Sequence, residues 1–250
     1  MPGRLLLVPA PLDFGCDPPA PLDRAVPDAT LAAASRLTHW IAENAKTARA
    51  YLKRINEAHP LAVPLQQMQV AELPREVHKK GDDAAGFDAR PLLGPALDGH
   101  DIGLLSEAGL PAVADPGNSV VRAAHELGIE VVALGGTSSL LLALAASGFG
   151  GQNFAFAGYL PQDAAARAQR VRDLEALALK GQAQLFIETP YRNAALWQAL
   201  LQTLRPTTRL AFASGLTLDA ARNGSQPVQR WRERPAPVAN DTPAVFAIGR

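Results

Sequence analysis

DIGLLSEAGLPAVADPGNSVVRAAHELGIEVVALGGTSSLLLALAASG, residues 101–148, alternates short apolar runs with glycine-bearing turns, and its reading decides the fold. Ile102 to Leu105 is an apolar run of strand length that ends in the polar turn Ser106-Glu107-Ala108-Gly109. Asp115-Pro116-Gly117 breaks the chain. Asn118 or Ser119 is then placed to cap a helix whose Val120, Val121, Ala124 and Leu127 share one face, and Gly128 stops it. Ile129 to Leu134 is the next strand. It runs into Gly135-Gly136-Thr137-Ser138-Ser139, a tight turn with free backbone N–H groups and hydroxyls, and then into the apolar helix Leu140 to Ala146. Strand, helix, strand, helix implies parallel strands whose turns gather at one sheet edge, where open α/β sheets bind ligands.

Working outward, 250 residues with 48% hydrophobic content suffice for one large or two modest α/β domains, each burying its own core. Lys and Arg number 24 and so do Asp and Glu, so no global charge draws the chain to nucleic acid or to an anionic membrane. Any such binding requires a local patch. The single cysteine, Cys16, excludes an internal disulfide and a cysteine zinc cluster, and His59, His78 and His100 are too scattered for a metal-ligand pattern. No metal is expected. Leu5 to Val8 is too brief for the core of a signal peptide and no stretch has membrane-spanning length, so the expected location is cytoplasmic, without membrane attachment. Neither a GxGxxG fingerprint nor a GxxxxGK[ST] loop occurs, which disfavours a dinucleotide or ATP site.

Leu5 to Val8 reads as a first buried strand, followed by the rigid loop Pro9-Ala10-Pro11-Leu12-Asp13-Phe14-Gly15, and Pro18 to Pro27 as loop. Asp28 to Leu52 holds two apolar-periodic pieces, and Thr47 to Ile55 is helical with Ala48, Tyr51, Leu52 and Ile55 on one face. Between residues 56 and 99 the pattern weakens. Leu61 to Val63 and Met68 to Val70 read as short strands, and His78 to Asp83 as an exposed turn. Further on, Phe154 to Ala157, Gln184 to Ile187, Arg209 to Ala213 and Ala244 to Ile248 read as strands. Ala164 to Leu179 and Asn193 to Leu204 read as helices, and Arg167, Arg170 and Arg172 are expected on a solvated face.

Four motifs then carry a family resemblance. LLSEAGLPAVADPG resembles LVSDAGTPLISDPG of the class III, tetrapyrrole-methylase-type S-adenosylmethionine-dependent methyltransferases, in particular the branch that methylates a ribose 2′-hydroxyl of bacterial 16S rRNA. VVALGGTSSLLLALAASG resembles that branch's VVPLPGPSAxxxALxxSG, Phe156 to Pro161 its FxGFLP, and Phe186 to Arg192 its FYESPHR. The resemblance implies two α/β domains, 1–135 and 138–250, with a cofactor cleft between them, a homodimer, and an enzyme that transfers a methyl group from S-adenosylmethionine. It places Pro9, Glu107, Gly109, Pro111, Ser138, Ser139 and Glu188 around that cofactor. Ile41 to Thr47 aligns with the family's AEDTRHT, which implies that Glu43 and Lys46 handle the acceptor. Here the second carboxylate is Asn44 and the arginine is Lys46, which keeps its charge but loses the planar fork. An RNA ribose hydroxyl is the leading acceptor. A small-molecule acceptor, or binding of the cofactor without turnover, are the alternatives that this altered motif leaves open.

Overall fold

The computed structural model describes residues 2–13, 16, 19–74 and 87–250, and the chain divides into two compact units, Met1–Thr137 and Ser138–Arg250. In the first unit, β1 (Leu5–Val8), α1 (Asp28–Ala34), β2 (His39–Ala42), α2 (Ala45–Ala58), β3 (Gln69–Glu72), the one-turn α3 (Gly94–Leu97), β4 (Ile102–Leu105), α4 (Asn118–Glu126) and β5 (Val131–Ala133) follow one another. The five strands form one parallel sheet in the order β3-β2-β4-β1-β5. Because β1 and β4 lie inside it, both of their faces are covered and their sequences are continuous apolar runs. Alternation sorts the side chains. Leu6, Val8 and Trp40 pack with Leu31 of α1 and with Tyr51, Leu52 and Ile55 of α2. Leu5, Ile41, Ile102 and Leu104 pack on the other face with Val120, Ala123 and Ala124 of α4. Gly103 is dictated by this packing, since a Cβ there would lie 2.5 Å from the Trp40 ring.

The register aligns Val8 with Leu105, Leu105 with Ala42, Ala42 with Glu72, and Leu7 with Ala133. All five strands therefore end on one edge, and the segments after them carry most of the residues singled out by the motifs.

The second unit runs α5 (Ser139–Ser147), β6 (Phe154–Tyr159), α6 (Ala164–Leu179), β7 (Ala183–Glu188), α7 (Asn193–Thr203), β8 (Arg209–Ser214), β9 (Arg222–Pro227), α8 (Val228–Trp231) and β10 (Ala244–Gly249). Its sheet has the order β6-β7-β10-β8-β9, parallel between β6 and β7 and antiparallel elsewhere. Leu140, Ala143 and Leu144 of α5 cover one face. On the other, α6 and α7 enclose Phe186, Trp197, Phe212, Trp231 and Phe246, with the Trp197 and Trp231 rings edge-on at 5.1 Å between centroids.

Several expectations are corrected. Leu61 to Val63 is not a strand, and the strand expected at Met68 to Val70 is Gln69–Glu72. A strand, His39–Ala42, runs from the end of the first apolar-periodic piece of 28–52 into the segment between the two, because Trp40 and Ile41 are buried on opposite faces of a sheet that apolar periodicity alone does not reveal. β9 carries no strand signal in its sequence, because RNGSQP has no apolar alternation and is held by pairing to β8. The cap of α4 is Gly117, at φ 129°, and neither Asn118 nor Ser119. Within Pro18 to Pro27, Leu22–Arg24 forms a 3-10 turn. Phe14, Gly15, Pro18 and the expected turn at His78 to Asp83 lie outside the described residues.

Candidate active site at the carboxyl edge of the parallel sheet

Prolines at positions 9 and 11 fix the chain leaving β1, and Ala10 between them is tied to the chain leaving β4. Ala10 N–H donates to Gly109 O at 2.8 Å and Gly109 N–H to Ala10 O at 3.1 Å. Gly109 has φ +73°, a conformation that glycine adopts without a Cβ penalty. Helix α2 holds the β1 loop from beneath: the buried Tyr51 hydroxyl donates to Pro9 O at 2.9 Å, and the Arg54 guanidinium donates to Asp13 Oδ2 at 2.9 Å and to Ala20 O. Burial pushes the Tyr51 hydroxyl well above the usual phenol range, so it stays a donor. The sequence put Tyr51 and Ala48 on the core face of this helix, and both are there. What periodicity does not show is that the phenol tip positions a loop.

The third tie is Gly136, where a Cβ would lie 2.3 Å from Cβ and Cγ of Pro9. Thr137 follows it, its N–H and hydroxyl both donating to Ala25 O, at 3.0 and 2.6 Å.

After β2, Glu43 accepts from the Glu107 N–H at 3.3 Å. Asn44 is the N-cap of α2, its Oδ1 accepting from Lys46 N–H at 2.8 Å and Thr47 N–H at 3.3 Å, while Glu72 Oε1 takes the Ala45 N–H at 2.6 Å. The free amides of the first turn are thereby satisfied. The residue that aligns with the second carboxylate of the resembled motif is thus a neutral side chain that caps the helix. Thr47 Oγ1 lies 2.6 Å from Glu107 Oε1 and donates to it. The Lys46 side chain is exposed. Ala10, Pro11, Asn44, Thr47, Tyr51, Ser106 and Glu107 are among the residues that line a cavity of about 310 Å³ over this edge.

Asp115, read from sequence only as part of a chain break, belongs to the same edge. Burial, followed by the negative charges of Glu43 and then Glu107, raises its carboxyl to about 7. The turn that places it contains Ala112 and Ala114 at φ 63° and 64°, a left-handed conformation that alanine rarely adopts. A carboxyl that titrates near neutrality can give or take a proton under ordinary conditions. No local pattern reveals it, because its neighbours come from other strand ends.

In the second unit, Ser138 occupies the N-cap position of α5 and is buried, but its hydroxyl makes no capping bond; only its carbonyl enters the helix, accepting Leu142 N–H at 3.0 Å. The Ser138 hydroxyl therefore does not cap this helix. Ser139 is the first residue of that helix. Glu188 closes β7 and is engaged within its own turn: Oε1 accepts from Arg192 at 2.6 Å and from the Thr189 N–H at 2.8 Å, and the Arg192 guanidinium stands 5.6 Å from the centroid of the exposed Tyr191 ring.

The structure thus brings Pro9, Glu43, Glu107 and Gly109 together by direct bonds or shared neighbours. Pro111 is buried in the turn after Gly109. Ser138, Ser139 and Glu188 are positioned by the second unit. Among the described residues no group of three or more His, Cys, Asp or Glu is placed to hold a metal ion, and no helix is long and apolar enough to cross a membrane.

Residues 29–224 match the family model of Tetrapyrrole (Corrin/Porphyrin) Methylases. The chain belongs to this family. Methyltransferases of the tetrapyrrole methylase family use S-adenosylmethionine. Parts of the chain are similar to two proteins named ribosomal RNA small subunit methyltransferase I: that of Pseudomonas aeruginosa, 42% identical over 94 residues, and that of Mesorhizobium japonicum, 39% identical over 131 residues. These matches cover 38% and 52% of this chain, and 32% and 44% of the relatives. Less than half of either relative's length is therefore spanned. The solved uroporphyrin III C-methyltransferase of Thermus thermophilus aligns over 99% of this chain and 98% of its own, with a TM-score of 0.56 and 18% identity, which is a likeness of fold.

Proposed function

We propose that this chain transfers the methyl group of S-adenosylmethionine to a ribose 2′-hydroxyl of ribosomal RNA. The observation that carries the cofactor half of the reading is the acidic edge of the first unit; the RNA acceptor rests on the similarity to proteins named ribosomal RNA small subunit methyltransferase I. Met1–Thr137 holds seventeen Asp and Glu against twelve Lys and Arg, and Glu43, Glu107 and Asp115 share the strand-end edge beside the cavity. A sulfonium is a cation, so this field suits it and disfavours an anionic dinucleotide or nucleoside triphosphate. The cavity volume falls at the lower end of small-molecule sites. Carboxylates also accept hydrogen bonds from ribose hydroxyls. Glu107, with Pro9, Gly109 and Pro111 shaping the loops around it, would hold the cofactor in this unit; Ser138, Ser139 and Glu188 are the residues that the motifs add from the second.

When bound, the cofactor supplies an electrophilic methyl group. The protein's part is to align donor and acceptor and to assist loss of the hydroxyl proton. Glu43 and Lys46 are the acceptor-side groups in this reading. The same reading makes the protein a homodimer. Leu141 and Leu142, 53% and 37% exposed within the apolar run of α5, and Phe154, 41% exposed on the edge strand β6, support it.

The test is calorimetric titration with S-adenosylmethionine, followed by transfer of labelled methyl groups to ribosomal RNA and to a small-molecule fraction. Binding with label on RNA is expected. Label only on small molecules would establish the alternative acceptor, binding with no transfer would establish a non-catalytic binding protein, and no binding at millimolar cofactor would overturn all three.

A further inference from the structure

The zero net charge of the chain conceals a polarity. Ser138–Arg250 carries twelve Lys and Arg against seven Asp and Glu, the reverse of the first unit. Within the second unit the excess is concentrated at one end of the sheet. Val228 N–H donates to Thr208 O at 2.9 Å and Gln229 N–H to Pro206 O at 3.0 Å, which lays residues 228–234 against residues 205–209. Together these two segments hold five arginines, at 205, 209, 230, 232 and 234, and one acid, Glu233. Glu175 is also at hand: it is buried, its Oε1 accepts the Arg205 backbone N–H at 2.8 Å and the Thr208 hydroxyl at 2.5 Å, and its Oε2 lies 3.7 Å from the Arg205 Nε, so it offsets part of the charge of Arg205. Three of the arginines are structural in part: Arg205 pairs with Glu175, Arg232 donates to the carbonyls of Leu201 and Leu204 at the end of α7, and Arg209 to Ser225 O. Arg205, Arg230 and Arg234 are exposed.

We propose that this arginine cluster is the surface on which the second unit holds the phosphate backbone of the RNA acceptor; the inference rests on the RNA reading above and assigns it a place. Guanidinium groups present a planar fork that matches phosphate oxygens, and this cluster contains no lysine. None of the large exposed hydrophobic residues falls in 205–209 or 228–234, so the patch lacks the apolar anchors of a membrane-binding surface. Register places it away from the turn holding Glu188. Ala244 of β10 pairs with Glu188 and Gly249 with Arg209, five residues apart, which at about 3.4 Å per residue is roughly 17 Å. A contact at that distance holds the acceptor without touching the cofactor, so it acts on RNA affinity and KM and leaves cofactor binding alone.

The experiment compares the wild-type chain with Arg230→Gln/Arg234→Gln, and with Arg170→Gln/Arg172→Gln on the exposed side of α6 as control. A labelled structured RNA hairpin is titrated by anisotropy at several salt concentrations, anionic phospholipid vesicles are tested by flotation, and S-adenosylmethionine affinity is measured by calorimetry. The Arg230/Arg234 variant is expected to bind RNA about fivefold or more weakly, with the slope of log affinity against log salt reduced by roughly 1–2, while its cofactor affinity and the control's RNA affinity stay at wild-type values. Unchanged RNA affinity and slope in this variant, no RNA binding by the wild type, or capture by vesicles in place of RNA would each overturn the proposal. RNA held through the cluster with no methyl transfer to any RNA would overturn the methyltransferase reading and leave this surface standing.

Discussion

Replacing Gly136 by alanine tests whether the loops of the candidate site are held as rigidly as their contacts imply. The new Cβ would lie 2.3 Å from two ring carbons of Pro9, where ordinary carbon–carbon contact needs about 3.5–4.0 Å, so more than 1 Å must be found by movement. Neither side can give readily. Pro9 is a ring whose carbonyl is held by Tyr51 and whose successor Ala10 is bridged to Gly109, and Thr137 is bonded twice to Ala25 O. Gly136 is not among the glycines with positive φ, so the cost is steric and not conformational. Overpacking of this kind costs about 1–3 kcal/mol, and at about 2–4 °C per kcal/mol for a protein of this size the melting temperature should fall by roughly 2–12 °C. Cofactor affinity should fall with it, because relief of the clash displaces Pro9. The neighbouring Gly135→Ala is the control: its nearest atom would be Pro27 Cγ at 3.7 Å, an ordinary contact. Scanning calorimetry and cofactor titration of both variants decide the matter. Wild-type stability and affinity in Gly136→Ala, or equal losses in the two variants, would refute the reasoning.

Three further outcomes are expected. Asp115 titrates near 7 when folded against about 3.8 unfolded, so its protonated form stabilises the fold fully below about pH 4 and that contribution is lost as pH rises to 7. The advantage of Asp115→Asn over wild type should therefore grow from about zero near pH 4 to on the order of 2–4 kcal/mol near pH 7 in urea unfolding, and parallel stability profiles would dismiss the shift. Tyr51→Phe leaves the Pro9 carbonyl without its donor and should cost about 1–2 kcal/mol in the same assay; a neutral result would mean that Tyr51 acts by packing alone. Lys46→Ala should leave cofactor affinity nearly unchanged but lower turnover on RNA at least about tenfold, since a transition-state contact is worth roughly 2–4 kcal/mol, and equal turnover would remove Lys46 from the reaction.

The sequence by itself determined what depends on near neighbours in the chain. The apolar runs Leu5–Val8 and Ile102–Leu105, the buried face of α2 and the whole span of α6 follow from periodicity and turn chemistry, and these are the elements the structure contains. The motifs that follow the strands were legible for the same reason, as compact strings on single turns. What only the tertiary structure decided are effects with a partner far along the chain. His39–Ala42 is a strand because β3 and β4 flank it, and Arg222–Pro227 because β8 does. Asn44, which differs from the carboxylate of the resembled motif, acquires a reason once α2 is seen to begin on its Oδ1. Asp115 is an ordinary turn residue until the strand ends bring Glu43 and Glu107 within range of its charge. The arginine cluster, likewise, is scattered along thirty residues until residues 228–234 fold back on 205–209. Local propensity acts through backbone dihedrals and the nearest side chains, whereas electrostatic fields and hydrogen-bond partners depend on distances in space, which only the packed sheet establishes.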